Sequence, residues 1–138
     1  MQTVLHATSV AVAGRGLLIR GASGSGKSGL ALELMARGAT LVADDRTIVR
    51  RVGDGLRLDA PEAIRGLIEA RGLGLLTAEA AGNVPLAAVL DLDVAETHRL
   101  PPIRAVRLLG VDIPLLHNSA SQYFPAQLLQ YLKASRRE

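Results

Sequence analysis

Residues 21–28 read Gly-Ala-Ser-Gly-Ser-Gly-Lys-Ser, and this octapeptide constrains the fold more than any other part of the chain. Glycines at 21, 24 and 26 suit neither a helix interior nor a strand interior, because glycine loses the most backbone entropy on ordering. They do let the chain turn sharply and aim successive N–H groups at one point, a concave nest for an anion. Four residues separate Gly21 from Gly26, and Lys27 and Ser28 follow. That is the pattern of a phosphate-binding loop. Such a loop works where a buried strand meets the first turn of a helix, so that the positive end of the helix dipole faces the phosphate. Both flanks are present. Leu17-Leu18-Ile19 is a short apolar run bounded by glycine, and Leu30, Leu32, Leu34 and Met35 give a helical stretch that Gly38 can end. Lys27 supplies a mobile positive charge for the outer phosphates and Ser28 a hydroxyl ligand for magnesium. Gly21, Ala22, Ser23, Gly24, Ser25, Gly26, Lys27 and Ser28 are the candidate cofactor-binding residues, and ATP and Mg2+ the expected cofactors.

Lysine usage supports the assignment. Lys27 and Lys133 are the only lysines, against fourteen arginines. A chain that uses arginine nearly everywhere else has lysine where the loop calls for it.

Residues 3–13 are rich in Val and Thr and read as a strand, and Leu41-Val42-Ala43 reads as another, ending at Asp44-Asp45. Strand, loop, helix, strand is the unit expected around a parallel sheet in an α/β fold. Thr47–Val52 and Leu56–Leu58 flank Gly53-Asp54-Gly55, a hairpin signal. Ala60-Pro61-Glu62 opens a helical stretch that runs to the glycines at 72 and 74. A strand over Leu86–Leu92 carries Asp91, His98–Pro102 is a loop, Val106–Leu116 holds one more strand, and a helix covers 121–134. No repeat or linker divides the 138 residues, so one domain over 1–138 is expected.

Composition narrows the function. The net charge is +3, but the basic residues are scattered, with Arg50-Arg51 and Arg136-Arg137 the only adjacent pairs. A nucleic-acid surface would show a basic stripe with stacking aromatics. The aromatics are only Tyr123, Phe124 and Tyr131, so no nucleic-acid partner is expected. The absence of cysteine excludes disulfides, thiolate nucleophiles and Cys-ligated zinc. No apolar run reaches the ~18 residues needed to span a bilayer, and no signal peptide is visible. The expectation is a cytoplasmic protein with no membrane partner.

Asp44 and Asp45 close a buried strand, where successive side chains point to opposite faces, so at most one faces the phosphates directly. Such an Asp can hold magnesium or orient a nucleophile; the plainer alternative is a solvated turn. Glu69 precedes Arg71-Gly72-Leu73-Gly74; it sits either near a ligand or on a helix face paired with Arg65 at i, i+4. His6 is either catalytic or a core or edge histidine of an apolar strand.

GASGSGKS at 21–28, LVADD at 41–45 and IEARGLG at 68–74, in this order and spacing, resemble the HPr kinase/phosphorylase family. The resemblance runs from His6 to about Pro114 and corresponds to that family's C-terminal catalytic domain, in the short form without an N-terminal domain met in alpha-proteobacteria. It implies a P-loop kinase fold with a central mixed β-sheet and flanking helices. It implies ATP-dependent phosphorylation of a serine of HPr, the phosphocarrier protein of the bacterial phosphotransferase system. By resemblance His6, Lys27, Asp44 and Asp45 are active-site residues, with Asp45 the proton acceptor, and Ser28 and Glu69 are the magnesium ligands. Glu96-Thr97-His98-Arg99-Leu100 is similar to the segment carrying a further active-site arginine, here Arg99. Family members are typically hexameric, so a homo-oligomer is expected. One segment departs from the family. Its Pro-Val-Arg-Pro-Gly-Arg-Asn stretch, tied to dephosphorylation, is replaced after Pro114 by Leu115-Leu116-His117-Asn118-Ser119-Ala120, which predicts a chain that is mainly a kinase. Two rival functions stay open on the sequence: a P-loop small-molecule kinase, and a non-catalytic ATP-binding regulatory module.

Overall fold

A computed structural model describes residues 1–137. The elements run β1 (Gln2–Leu5), β2 (Ala7–Val12), β3 (Arg15–Arg20), α1 (Lys27–Ala36), β4 (Thr40–Ala43), β5 (Thr47–Val52) and β6 (Gly55–Asp59). A 3-10 turn (Glu62–Ile64) leads to β7 (Leu67–Ala70), β8 (Gly74–Thr77), β9 (Val84–Ala95), β10 (Ala105–Leu108), β11 (Val111–Asn118) and α2 (Phe124–Ala134). The main sheet is mixed, in the order β1-β5-β6-β9-β3-β2-β4, and β11 with β10 joins it along β9. Strands β3, β9 and β11 are parallel to one another, whereas β2 runs antiparallel to both of its neighbours, β3 and β4.

Period-two alternation in β3 divides the core. Leu17 and Ile19 face the helices, packing with Leu34, Leu90, Leu128 and Leu132. Leu18 faces the other way and packs with Val42, Val49, Leu58 and Val89, where the sheet curls over itself. All three β3 side chains are fully buried, each worth about 1.5–3 kcal/mol of transfer free energy. With so few aromatics, the core is built from these aliphatic layers.

Four local expectations need correction. The strand expected over residues 3–13 is broken at His6: β1 pairs with β5 while β2 pairs with β3 and β4. Strands β3 and β4 of the expected unit are not neighbours, because β2 lies between them. The helix expected from Pro61 toward the glycines ends at Ile64, and Glu69 lies on β7 of a separate two-stranded hairpin, opposite Leu75. Arg65 therefore reaches Asp59 and Glu62, at 2.9 and 3.1 Å, rather than Glu69. Burial raises the Asp59 carboxyl, but the hydrogen bonds from Arg65 and the Ala60 N–H outweigh it and the net shift is downward. Finally, the single strand expected over 106–116 is a hairpin, β10 and β11, turning at Leu109-Gly110, both with positive φ.

Candidate active site

The loop sits where the sequence places it, between β3 and α1. Gly26 caps the helix at φ 98°, and Gly24 turns at φ 82°. An L side chain would be strained at either angle, which explains glycine there. No side chain caps α1 and no acidic residue stands in its first turn, so the first N–H groups of the helix stay open toward the loop. Lys27 is 7% exposed, and its Nζ donates to the carbonyls of Gly21 (2.8 Å) and Ala22 (3.2 Å). The Ser25 hydroxyl is buried with no hydrogen-bond partner. The loop is tied to β9 by Asp93, whose carboxylate accepts the Ala22 N–H at 2.9 Å. Asp91 in turn accepts the Asp93 N–H (2.9 Å) and pairs with Arg20 (3.3 Å).

Two corners of the sheet face each other beside this loop. At one, His6 separates β1 from β2. At the other, Asp44-Asp45-Arg46 separates β4 from β5. Because Leu5 pairs with Thr47 and Ser9 with Ala43, the corners lie side by side. The His6 ring Nε2 is 2.5 Å from Asp45 Oδ1, and both side chains are more than half exposed. The Arg46 N–H donates to the Asp44 carbonyl at 2.8 Å around Asp45, whose φ is 69°. That is a three-residue turn of the rare, strained kind, and strain of about 1–3 kcal/mol in a non-glycine residue persists where surrounding structure enforces it. The turn ends the strand alternation and sends the two acids to different tasks. Asp44, 8% exposed, accepts hydrogen bonds from Ser28 Oγ (2.6 Å), Thr8 Oγ1 (3.0 Å) and the Glu69 N–H (2.9 Å). Thr8 also receives the Asp45 N–H at 3.1 Å. Glu69 is exposed and reaches this cluster through its backbone.

His6, Lys27, Ser28, Asp44, Asp45 and Glu69 are thus gathered around one loop. Arg99 is exposed on the segment after β9, in the wall of a 420 Å³ cavity with Arg104, His117, Phe124 and Tyr131. None of the six gathered residues lines that cavity. Glu96 organises this segment. It pairs closely with Arg104 and accepts the N–H groups of Thr97 and His98 at 3.0 and 3.1 Å. The Arg104 hydrogen bond, with those N–H groups, holds the Glu96 carboxyl at about 2, well below the usual carboxylate range.

Sequence reasoning gave no role to Thr8 and Asp93. A hydroxyl in a strand buried at every position was the available signal for Thr8. For Asp93 nothing in the sequence shows its reach to the Ala22 N–H.

A phosphate group fits these residues: glycine turns, an uncapped helix N-terminus and a lysine ammonium surround one loop. Hard oxygen donors suited to magnesium, the Ser28 hydroxyl and the Asp44 carboxylate that it meets at 2.6 Å, stand beside the loop, whereas Glu69 joins them through its backbone N–H. Among the described residues no group of three or more His, Cys, Asp or Glu could hold a metal ion.

Residues 1–84 match the model of the HPr serine kinase C-terminal domain. The chain belongs to that family. Its HPr kinase relatives include the HPr kinase/phosphorylase of Caldanaerobacter subterraneus, 46% identical over 95 residues that cover 66% of this chain and 31% of that protein. The HPr kinase/phosphorylase of Chlorobium limicola is 36% identical over 127 residues, covering 80% of this chain and 38% of that protein. The chain therefore spans less than two-fifths of the length of these relatives. The solved HPr(Ser) kinase/phosphatase of Coxiella burnetii superposes with a TM-score of 0.80 at 21% identity, covering 95% of this chain and 94% of that one. The HPr serine kinase C-terminal fold is thus common to both.

Proposed function

We propose that the chain transfers the γ-phosphoryl group of ATP to a serine hydroxyl of HPr or an HPr-like phosphocarrier. The observation that carries this reading is the exposed Asp45–His6 contact held 2.5 Å apart beside the loop that carries Lys27 and Ser28. A binding module has little use for an exposed carboxylate kept in a strained turn at the edge of a phosphate loop. In the proposed reaction the loop N–H groups and Lys27 orient the β and γ phosphates. The serine oxygen bonds to the γ phosphorus, the bond from that phosphorus to the β–γ bridging oxygen breaks, and ADP leaves. Asp45 accepts the serine proton, mainly orienting the hydroxyl until a late proton transfer, and His6 shares or steadies that proton. Asp44 does not face the acceptor; it fixes Ser28, Thr8 and the start of the Glu69 strand. Magnesium held by Ser28 and Glu69 would offset charge developing on the phosphates.

Arg99, in the wall of the neighbouring cavity, has no step in this reaction. Residues 1–138 act in it as one catalytic unit, in the cytoplasm where ATP is available, as part of a homo-oligomer. Exposed Leu73, Leu75, Leu100 and Ile103 favour subunit contacts. Among the described residues no helix is long and apolar enough to cross a membrane.

The test is incubation with γ-labelled ATP, magnesium and HPr. Label is expected on one HPr serine with the wild type and none with Asp45→Asn. Transfer to a small molecule but not to HPr would favour the small-molecule kinase. ATP binding with no transfer to any acceptor would favour a regulatory module.

A further inference from the structure

The two interrupted strands beside the loop keep one register across their break. Leu5 of β1 faces Thr47 of β5, and Ser9 of β2 faces Ala43 of β4. The positions between continue that register, which sets His6 opposite Arg46, Ala7 opposite Asp45 and Thr8 opposite Asp44. Neither backbone ladder extends over these three positions. The Arg46 N–H turns back on its own strand, to the Asp44 carbonyl at 2.8 Å. Side-chain hydroxyls make the cross-strand links instead. The Ala7 carbonyl receives the Thr47 hydroxyl at 2.9 Å, and the Asp45 N–H goes to the Thr8 hydroxyl at 3.1 Å.

Thr8 makes the link that reaches both acids. It is fully buried, and a hydroxyl carries one proton to donate and lone pairs to accept. The proton goes to Asp44 Oδ1 at 3.0 Å, and a lone pair takes the Asp45 N–H. Ser28 Oγ donates to the same Asp44 oxygen at 2.6 Å. A continuous path therefore runs from Ser28, in the first turn of α1, through Asp44 and Thr8 to the Asp45 backbone. The Thr8 bond holds the peptide before Asp45 and the Arg46 N–H holds the peptide after it, so the φ of 69° is clamped from both sides. A β-branched side chain in a strand is stiff about χ1, which keeps the hydroxyl aimed at this corner.

We propose that Thr8 is a positioning residue for phosphoryl transfer. Through the Asp45 N–H it fixes the direction of the Asp45 carboxylate, and through Asp44 it fixes the distance of that carboxylate from Ser28 and the loop. The proposal rests on the kinase reading above, in which Asp45 orients the serine hydroxyl. Thr8 bonds the two acids, whereas Lys27 bonds the loop carbonyls. Nucleotide binding and phosphoryl transfer should therefore separate when the Thr8 hydroxyl is lost. A misplacement of about 1 Å in a reacting group is enough to cost about a hundredfold in rate.

The experiment compares wild type, Thr8→Val and Thr8→Ser. It measures Mg-ATP affinity by calorimetry, kcat and KM for HPr phosphorylation, and hydrogen exchange of the Asp45 amide by NMR. Thr8→Val keeps the shape of the side chain and removes the hydroxyl. It is expected to bind Mg-ATP within about twofold of wild type and to lose at least about tenfold in kcat. Its Asp45 amide should exchange at least about tenfold faster. Thr8→Ser keeps the hydroxyl and should hold kcat within about threefold of wild type. The proposal is overturned if Thr8→Val keeps the wild-type kcat, if it loses ATP affinity and kcat in parallel, or if Thr8→Ser falls as far as Thr8→Val. The wild-type amide decides the matter even if Thr8→Val fails to fold, because an Asp45 N–H that exchanges as fast as an open amide is not clamped. A wild type that phosphorylates no HPr would instead overturn the kinase reading, whatever the Thr8 variants do.

Discussion

Asp44 and Asp45 are adjacent acids, and they should fail in opposite ways. Asp44→Ala removes the acceptor for three donors at once: Thr8 Oγ1, Ser28 Oγ and the Glu69 N–H. Thr8 is fully buried, so its hydroxyl has no water to turn to, and an orphaned buried donor costs about 1–3 kcal/mol. Ser28 and Glu69 are partly exposed and recover much of their loss, about 1 kcal/mol together. The total is about 3 kcal/mol, which at this chain length lowers Tm by about 10 °C. Asp45→Gly acts differently. It relieves a positive φ worth about 1–2 kcal/mol in an L residue. Glycine's extra unfolded-state entropy takes back about 0.5–1 kcal/mol, and the lost exposed contact with His6 about 0–1 kcal/mol. Stability should therefore stay within about 1 kcal/mol of wild type while phosphoryl transfer disappears. Thermal unfolding followed by circular dichroism, with HPr phosphorylation on the same samples, reads both. An Asp44→Ala variant melting within about 2 °C of wild type would refute the three-donor account, since orphaned buried donors are not that cheap. Full transfer by Asp45→Gly would remove Asp45 from the chemistry.

Lys27→Ala should lose ATP affinity by at least tenfold with little change in fold, as judged by calorimetry and circular dichroism. Asp93→Ala frees the Ala22 N–H from β9 and should weaken nucleotide binding severalfold, whereas Asp93→Asn, which still offers an acceptor oxygen, should stay near wild type; equal loss in both would make the charge and not the tether responsible. The Glu96 carboxyl, held at about 2, contributes stability that is fully present above its unfolded value of about 4.3 and fades as pH falls toward 2. The Tm gap between wild type and Glu96→Gln should therefore be constant from pH 7 to 5 and close below pH 4. Serine-phosphorylated HPr offered with magnesium and millimolar phosphate should release little pyrophosphate relative to the forward rate, because Leu115–Ala120 supplies no cation fork for a second anion; comparable rates would show that the missing Pro-Gly-Arg is not needed.

The sequence by itself determined the glycine-rich loop between β3 and α1, because its chemistry is local. Glycine angles, a lysine and a following helix lie within eight consecutive residues, and no distant contact is needed to read them. The same holds for the hairpin of β5 and β6 and for α2, where turn residues and a leucine period act at short range. LVADD and IEARGLG carried the family, although Glu69 lies on a hairpin strand that the helix-like spacing after Pro61 concealed. Tertiary structure decided the rest. The break at His6 exists because β1 and β2 pair with different partners, which no window of residues reveals. That break sets His6 against Asp45, thirty-nine positions away, and the strained turn at Asp45 leaves Asp44 to Thr8, Ser28 and Glu69. Asp93 reaches the loop only because β9 flanks β3. Register and strand order are set by long-range pairing, and they place these side chains at the loop.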